Sequence, residues 1–233
     1  MAASLLLLLL APDPVAVKVP EVIRQLEAND VAGALATLKE IESLKADDAE
    51  AKALVRMIRS PEVRKPSEVL EASFLALKGI GSRAVTKDLL ALLKNSPLRK
   101  DPAVRIGVCR AFQGSADPAG IPELVDMLHD VDDRVIAASA EAASAHRHAK
   151  EEVRKELFEE LLKIYVPTWN LKNSVDGGQK VAKARAERRW AVIEKPMERS
   201  LQLLSNVTQN DPPAWQRWWN KNKKKRWAAA EGA

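Results

Sequence analysis

The sequence predicts an all-α protein, an α/α solenoid of about four to five stacked helix pairs, and three observations carry that prediction. The first is the alphabet. Of 233 residues 46% are hydrophobic but 4% are aromatic, so the apolar content is mainly Ala, Leu, Val and Ile, and Ala and Leu combine high helix propensity with small or flexible packing volume. Nine glycines are too few for a β-rich fold full of tight turns. The second observation is a repeated stretch. Val69–Leu77, Val104–Phe112 and Val135–Ala143 each open on Val and carry small or apolar residues at +3, +4, +7 and +8, which lays one apolar stripe along a helix. The third is a companion helix. Leu89, Leu90, Leu92 and Leu93 recur as Leu124, Val125, Met127 and Leu128, then as Leu157, Phe158, Glu160 and Leu161, at 20, 20 and 22 residues from the leading Val. Such a pair cannot bury its apolar faces alone, so neighbours must stack.

Taken in order, the chain opens on Leu5 to Leu10 followed by Ala11-Pro12-Asp13-Pro14. The ten-residue stretch from Ala2 to Ala11 is too short to span a bilayer and suits the core of a signal peptide over residues 1–16, although no basic leader precedes it. Export to the periplasm or the outside is one reading, and an ordinary first helix in a cytoplasmic protein is the other. Residues 17–60 read as capping helices: Pro20 to Ala28, Val31 to Leu44 after the Asn29-Asp30 cap, and Asp47 to about Ser60. Residues 61–166 hold the repeats. Gly79 and Gly81 punctuate the first unit, and Gly114 to Gly120 the second. Asp101-Pro102 reads as a cap with an early-turn proline, and Asp130 to Asp133 opens the third unit. The segment 167–178, entered at Val166, reads as a loop from its Pro, Asn and Gly content. Residues 179–220 read as C-terminal helices, Gln179 to Glu194, Pro196 to Val207 and a Trp-rich one, and 221–233 as a basic tail.

The residues Asp101-Pro-Ala-Val-Arg105, the small-residue helix after them and the following Pro122-Glu-Leu-Val-Asp-Met-Leu128 are similar to HEAT repeats, in the short bacterial form of the phycobilisome-lyase type. A related opening stands at Asp132 to Val135, whereas the first unit has Pro66-Ser67-Glu68-Val69-Leu70 instead. The resemblance covers roughly residues 60 to 165 and implies a HEAT/armadillo-like superhelix rather than an activity. The ending resembles that of exported bacterial HEAT-repeat proteins, in which a Trp-Xaa-Xaa-Trp-Trp segment follows the repeats; here it is Trp215, Trp218 and Trp219 after Asp211-Pro212-Pro213. At i, i+3 and i+4 these rings share one helix face, which either docks the last helix on the solenoid or forms an exposed recognition surface.

Charge is uneven. Residues 172–227 hold 14 Lys/Arg against 5 Asp/Glu, while residues 1–171 hold 23 against 26. Arg185, Arg188, Arg189, Lys221, Lys223, Lys224, Lys225, Arg226 and Trp227 are therefore the candidate partner-binding residues. The run 221–226 is either a solvated tail or an electrostatic dock with Trp227 stacking beside it. No constellation for catalysis stands out. His146 and His148 are at i, i+2 and do not converge as metal ligands do, and neither a phosphate-binding glycine loop nor a nucleophile elbow is present. Cys109, the one cysteine, sits at helical spacing among small residues and reads as a core filler. HEAT-like alkylpurine DNA glycosylases place a Trp-rich segment beside a catalytic Asp in their central repeats, where this chain is Ala-rich and lacks Trp. The expected function is thus a non-catalytic, cofactor-free scaffold for a protein partner. The alternative is a binder of nucleic acid or an anionic surface through the basic C-terminal region. Oligomeric state is left open.

Overall fold

The computed structural model describes residues 18–43, 48–60, 63, 65–94, 96–174 and 180–227. The candidate export segment, residues 1–16, and the end of the chain beyond residue 227 lie outside the described residues, as do 175–179 of the predicted loop. The helices are α1 (Lys18–Glu27), α2 (Val31–Ser43), α3 (Asp48–Ile58), α4 (Ser67–Ile80), α5 (Thr86–Lys94), α6 (Ser96–Lys100), α7 (Pro102–Ser115), α8 (Ile121–Leu128), α9 (Asp133–Ala143), α10 (Glu151–Lys172), α11 (Lys180–Ser205) and α12 (Pro212–Asn222). There is no strand among the described residues.

These helices form two layers. In one, α2, α4, α7, α9 and α11 pack side by side in that order; in the other, α3, α5, α8, α10 and α12 succeed one another, with α5 reaching α8 through the 3-10 turn Pro118–Gly120. The chain is therefore an all-α solenoid of five helix pairs preceded by α1. The three Val-led stretches are α4, α7 and α9, adjacent in the first layer, and Val69, Val104 and Val135 are each fully buried. Their companions bury Leu89, Leu92, Leu93, Leu124, Met127, Leu128, Leu157, Phe158 and Leu161 beneath them.

Capping repeats with the units. Asp30 accepts from the Gly33 amide, Asp101 from Ala103, Asp132 from Arg134 and Asp211 from Ala214, each carboxylate satisfying a first-turn N–H that the helix itself leaves open. Gly81 ends α4 in the left-handed region, at φ +65°, with its amide donating to Leu77 O. Ala116 takes the same role after α7 at φ +45°, so the turn expected from Gly114 is made one residue beyond the helix by an alanine.

Two sequence expectations need correcting. The loop predicted from residue 166 is helix as far as Lys172, and the break predicted near Pro196 is absent because α11 runs unbroken from Lys180 to Ser205. A proline inside a helix removes one N–H and crowds the preceding turn. Pro167 is exposed, so water solvates the carbonyl it leaves open, while Tyr165 and Thr168 on either side are buried and hold the helix in place. Around Pro196 the buried residues Ile193, Met197, Ser200 and Leu201 keep α11 against α9 and α10.

The C-terminal tryptophans dock on the solenoid. Trp215, Trp219 and Trp227 are buried, and Phe158 of α10 sits among four indoles at centroid distances of 5.8 Å to Trp215, 5.4 Å to Trp218, 5.3 Å to Trp219 and 5.3 Å to Trp227. This cluster closes the apolar core at the last pair, which otherwise would face water.

Candidate interaction surfaces

The first layer carries a groove of about 590 Å³ that crosses four successive helices. Leu70 and Glu71 come from α4; Ala103, Ile106, Gly107 and Arg110 from α7; Arg134, Ala137, Ala138 and Glu141 from α9; Val192 and Pro196 from α11. The helices lie close because their facing residues are small. A Cβ at Gly107 would overlap the buried Phe74 ring of α4, so only glycine lets α4 and α7 approach as they do. The floor is consequently shallow and apolar, and the rim is charged with both signs. Arg110 donates from Nη1 to Glu71 Oε1 at 2.6 Å across the α4–α7 step, and Arg134 is held by Asp132 at 2.7 Å. Both pairs are substantially exposed, so they contribute little stability and leave the rim available to a partner.

None of these groove residues stood out as a functional set in the sequence, yet the signal was present. Counted from the leading Val, Ile106 and Ala137 both stand at +2, Gly107 and Ala138 at +3, and Arg110 and Glu141 at +6. Residues at one register in successive repeats fall in line across the layer, so these positions, at and beside the edge of the buried stripe, form a continuous strip.

The predicted basic residues do not form one patch. Arg185 and Arg188 are exposed near the start of α11, while Arg189 is half-buried and donates from Nε to Asp133 Oδ1 at 2.6 Å, locking α11 to α9. That end of α11 is pinned to the end of α10, where Lys183 donates to Ser174 O and Lys172 lies 4.7 Å from the Trp190 ring centroid. Lys221, Lys223, Lys224, Lys225 and Arg226 are exposed at the opposite end, where Lys155 Nζ of α10 donates to Lys225 O at 2.7 Å. From Lys155 to Lys172 along α10 is roughly 25 Å, at about 1.5 Å rise per residue. Trp227, expected to offer a stacking face, is buried against Phe158, Trp218 and Trp219, with its Nε1–H donating to Asn222 O at 3.2 Å.

Other candidate groups also resolve. Cys109 is buried with Sγ 3.0 Å from Met127 Sδ, and burial pushes its thiol far above the usual range, so it packs as a core residue. Among the described residues no cluster of three His, Cys, Asp or Glu side chains could hold a metal ion, and no helix is long and apolar enough to cross a membrane.

The family model for HEAT repeats matches residues 64–145, from the approach to α4 through α9. It thus includes the first unit, whose Pro66-Ser67 opening departs from the Asp-Xaa-Xaa-Val-Arg pattern. The comparisons with curated proteins and with solved structures return no match. HEAT repeats in general are non-catalytic scaffolds for protein interaction. The two-layer stacking and the match over its central helices together make this chain an all-α solenoid of the HEAT-repeat type.

Proposed function

We propose that the protein is a non-catalytic scaffold that holds a protein partner along the first-layer groove. The observation that carries this reading is the continuity of one apolar, small-residue floor across α4, α7, α9 and α11. A floor of Ala, Gly and Ile admits close approach of another chain, and the mixed-sign rim of Glu71, Arg110, Arg134 and Glu141 supplies charges that fix register rather than bulk affinity. The groove is built before the partner arrives, so little ordering cost falls on the scaffold side.

A photo-crosslinking amino acid placed at Ala137, in the groove, and in a second protein at Lys163, exposed on α10, tests the reading in native cells. A discrete protein adduct from position 137 and none from position 163 is the expected result. Adducts from 163 alone contradict it. Loss of complex with added salt, abolished by deleting residues 221–227, transfers the function to the basic end.

The Leu5–Leu10 run supports an exported scaffold. N-terminal sequencing of the protein from its native cells is expected to begin between residues 12 and 17; a chain that retains residue 2 at its start overturns export.

A further inference from the structure

We propose that the partner segment received by the first-layer groove is amphipathic and acidic, and that its carboxylates meet a basic row on α11 formed by Arg188, Lys195 and Arg199. This rests on the groove being the partner-binding face, and it names the chemistry of what that face holds. The helix α11 keeps its charges on two separate sides. Positions 185, 188, 192, 195 and 199 step by three or four residues and so stand in one row, which reads Arg, Arg, Val, Lys, Arg and is exposed throughout. Glu187, Glu194 and Glu198 stand along the opposite edge of the exposed face. Packing settles which side looks where. Arg189 Nε donates to Asp133 Oδ1 of α9 at 2.6 Å, and Val192 and Pro196 line the groove, so the basic row borders it. The carboxylates face α10 instead, where burial, then the charges of Glu198, Glu194 and Asp211, push the Tyr165 hydroxyl above its usual range.

The row bounds the groove along its whole width. The Arg189–Asp133 pair and the Ser200 hydroxyl, which donates to Ala140 O, lay α9 alongside α11 over residues 189–200. At about 1.5 Å per residue the row from Arg188 to Arg199 runs roughly 16 Å, against roughly 10 Å for the α9 lining from Arg134 to Glu141. Carboxylates in the lining do not cancel this charge. Glu71 is engaged by Arg110, and Asp101 accepts from the Ala103 amide, which leaves Glu141 against the row. Arg188, Lys195 and Arg199 make no ion pair among the described residues. A basic edge beside an apolar floor steers and orients a segment that carries both apolar and acidic side chains. A nucleic acid fits less well. Ala103, Ile106 and Ala137 offer its backbone no donor, and Glu71 and Glu141 repel phosphates.

Panning the full-length protein against a displayed library of random peptides, each about 16 residues long, tests this chemistry without knowing the partner. The selected peptides are expected to be enriched in Asp and Glu together with Leu, Ile and Val. With the leading peptide bound, hydrogen exchange should slow in 103–110, 134–141 and 192–196. Lys195→Glu/Arg199→Glu, both on exposed side chains, should weaken that peptide roughly tenfold or more by fluorescence anisotropy, with Tm unchanged. Lys223→Glu/Lys224→Glu, an equal change of net charge at the basic end, should leave its affinity unchanged. Peptides that slow exchange in the groove but carry no acidic excess, or that ignore the α11 substitutions, overturn the acidic partner and leave the groove standing. Peptides that protect other segments, or no selected peptides at all, overturn the groove reading and this inference with it. Duplex DNA that binds more tightly than the leading peptide and is lost in the α11 variant assigns the row to nucleic acid and likewise overturns the proposal.

Discussion

Gly107 shows how much one methyl group decides in this layer. Replacing an interior helix glycine with alanine ordinarily stabilises by up to about 1 kcal/mol. Here the new methyl meets the Phe74 ring, which is fully buried and has nowhere to turn. Gly107→Ala is therefore expected to destabilise by about 1–3 kcal/mol, the cost of overpacking a filled core. Urea unfolding reads the sign directly, and a gain in stability contradicts the close approach of α4 and α7. His146 supplies a second residue-scale test. It is buried, and its Nε2 has no hydrogen-bond partner in the described structure. Burial lowers its pKa, with Arg83 adding to that and Asp117 opposing it. The folded state thus resists a proton that the unfolded chain accepts near pH 6.5. Stability from this residue is complete above about pH 6.5 and is lost as pH falls through the lower, folded value. Thermal melts of the wild type should lose ground against His146→Leu on acidification below pH 6.5, and parallel curves would count against a neutral buried imidazole.

At the scale of elements, the junctions between repeats are fastened as well as capped. Arg105, near the start of α7, donates from Nε to Asp130 Oδ2 at 2.7 Å and from Nη2 to Asp130 Oδ1 at 3.0 Å, while Nη1 donates to Arg99 O at 2.6 Å. Asp130 Oδ1 also accepts from the Asp132 amide at 2.8 Å, which shapes the turn into α9. Both side chains are about one-tenth exposed, so removing one partner strands the other's charge. Asp130→Ala should cost about 3 kcal/mol, with Arg105→Met/Asp130→Ala costing less than the sum of the single changes. Additive costs in chemical denaturation would show that the pair does not couple the repeats. Element existence was legible in the sequence wherever a period-3.6 stripe met a cap, as at Asp101 and Asp132. Element ends were not. Pro167 and Pro196 read as breaks because the sequence cannot show that one faces water and the other is flanked by residues buried against α9 and α10. Ala116 likewise hid a left-handed helix end behind a residue that seldom adopts one.

Across the whole molecule, the buried residues fall into two apolar clusters, one running from Val19 to Ala142 and the other from Ile121 to Trp227. A solenoid stabilised by neighbour contacts can lose one end before the other. Trp215→Ala, which empties a buried site beside Phe158, should cost about 3–5 kcal/mol. Hydrogen exchange in that variant is expected to accelerate in residues 151–205 while residues 67–115 keep their protection; uniform acceleration would mean one indivisible cooperative unit. The same scale explains what the sequence showed of the candidate surfaces. Charge counting found the basic end but merged Arg185 and Arg188 with Lys221–Arg226, because separation along α10 exists only once α10 and α11 pair. The groove stayed hidden because Ala103 and Ala137 look like core until the layer is assembled and leaves them accessible.

The scaffold function requires the groove across α4, α7, α9 and α11 to be the face that receives a partner. Hydrogen exchange of the full-length protein, alone and with the protein recovered by crosslinking from position 137, measures this most directly. The expected result is slowed exchange in 67–71, 103–110, 134–141 and 192–196, with α5, α8 and α10 unchanged. Slowed exchange confined to the second layer, or to residues 221–227, would contradict it.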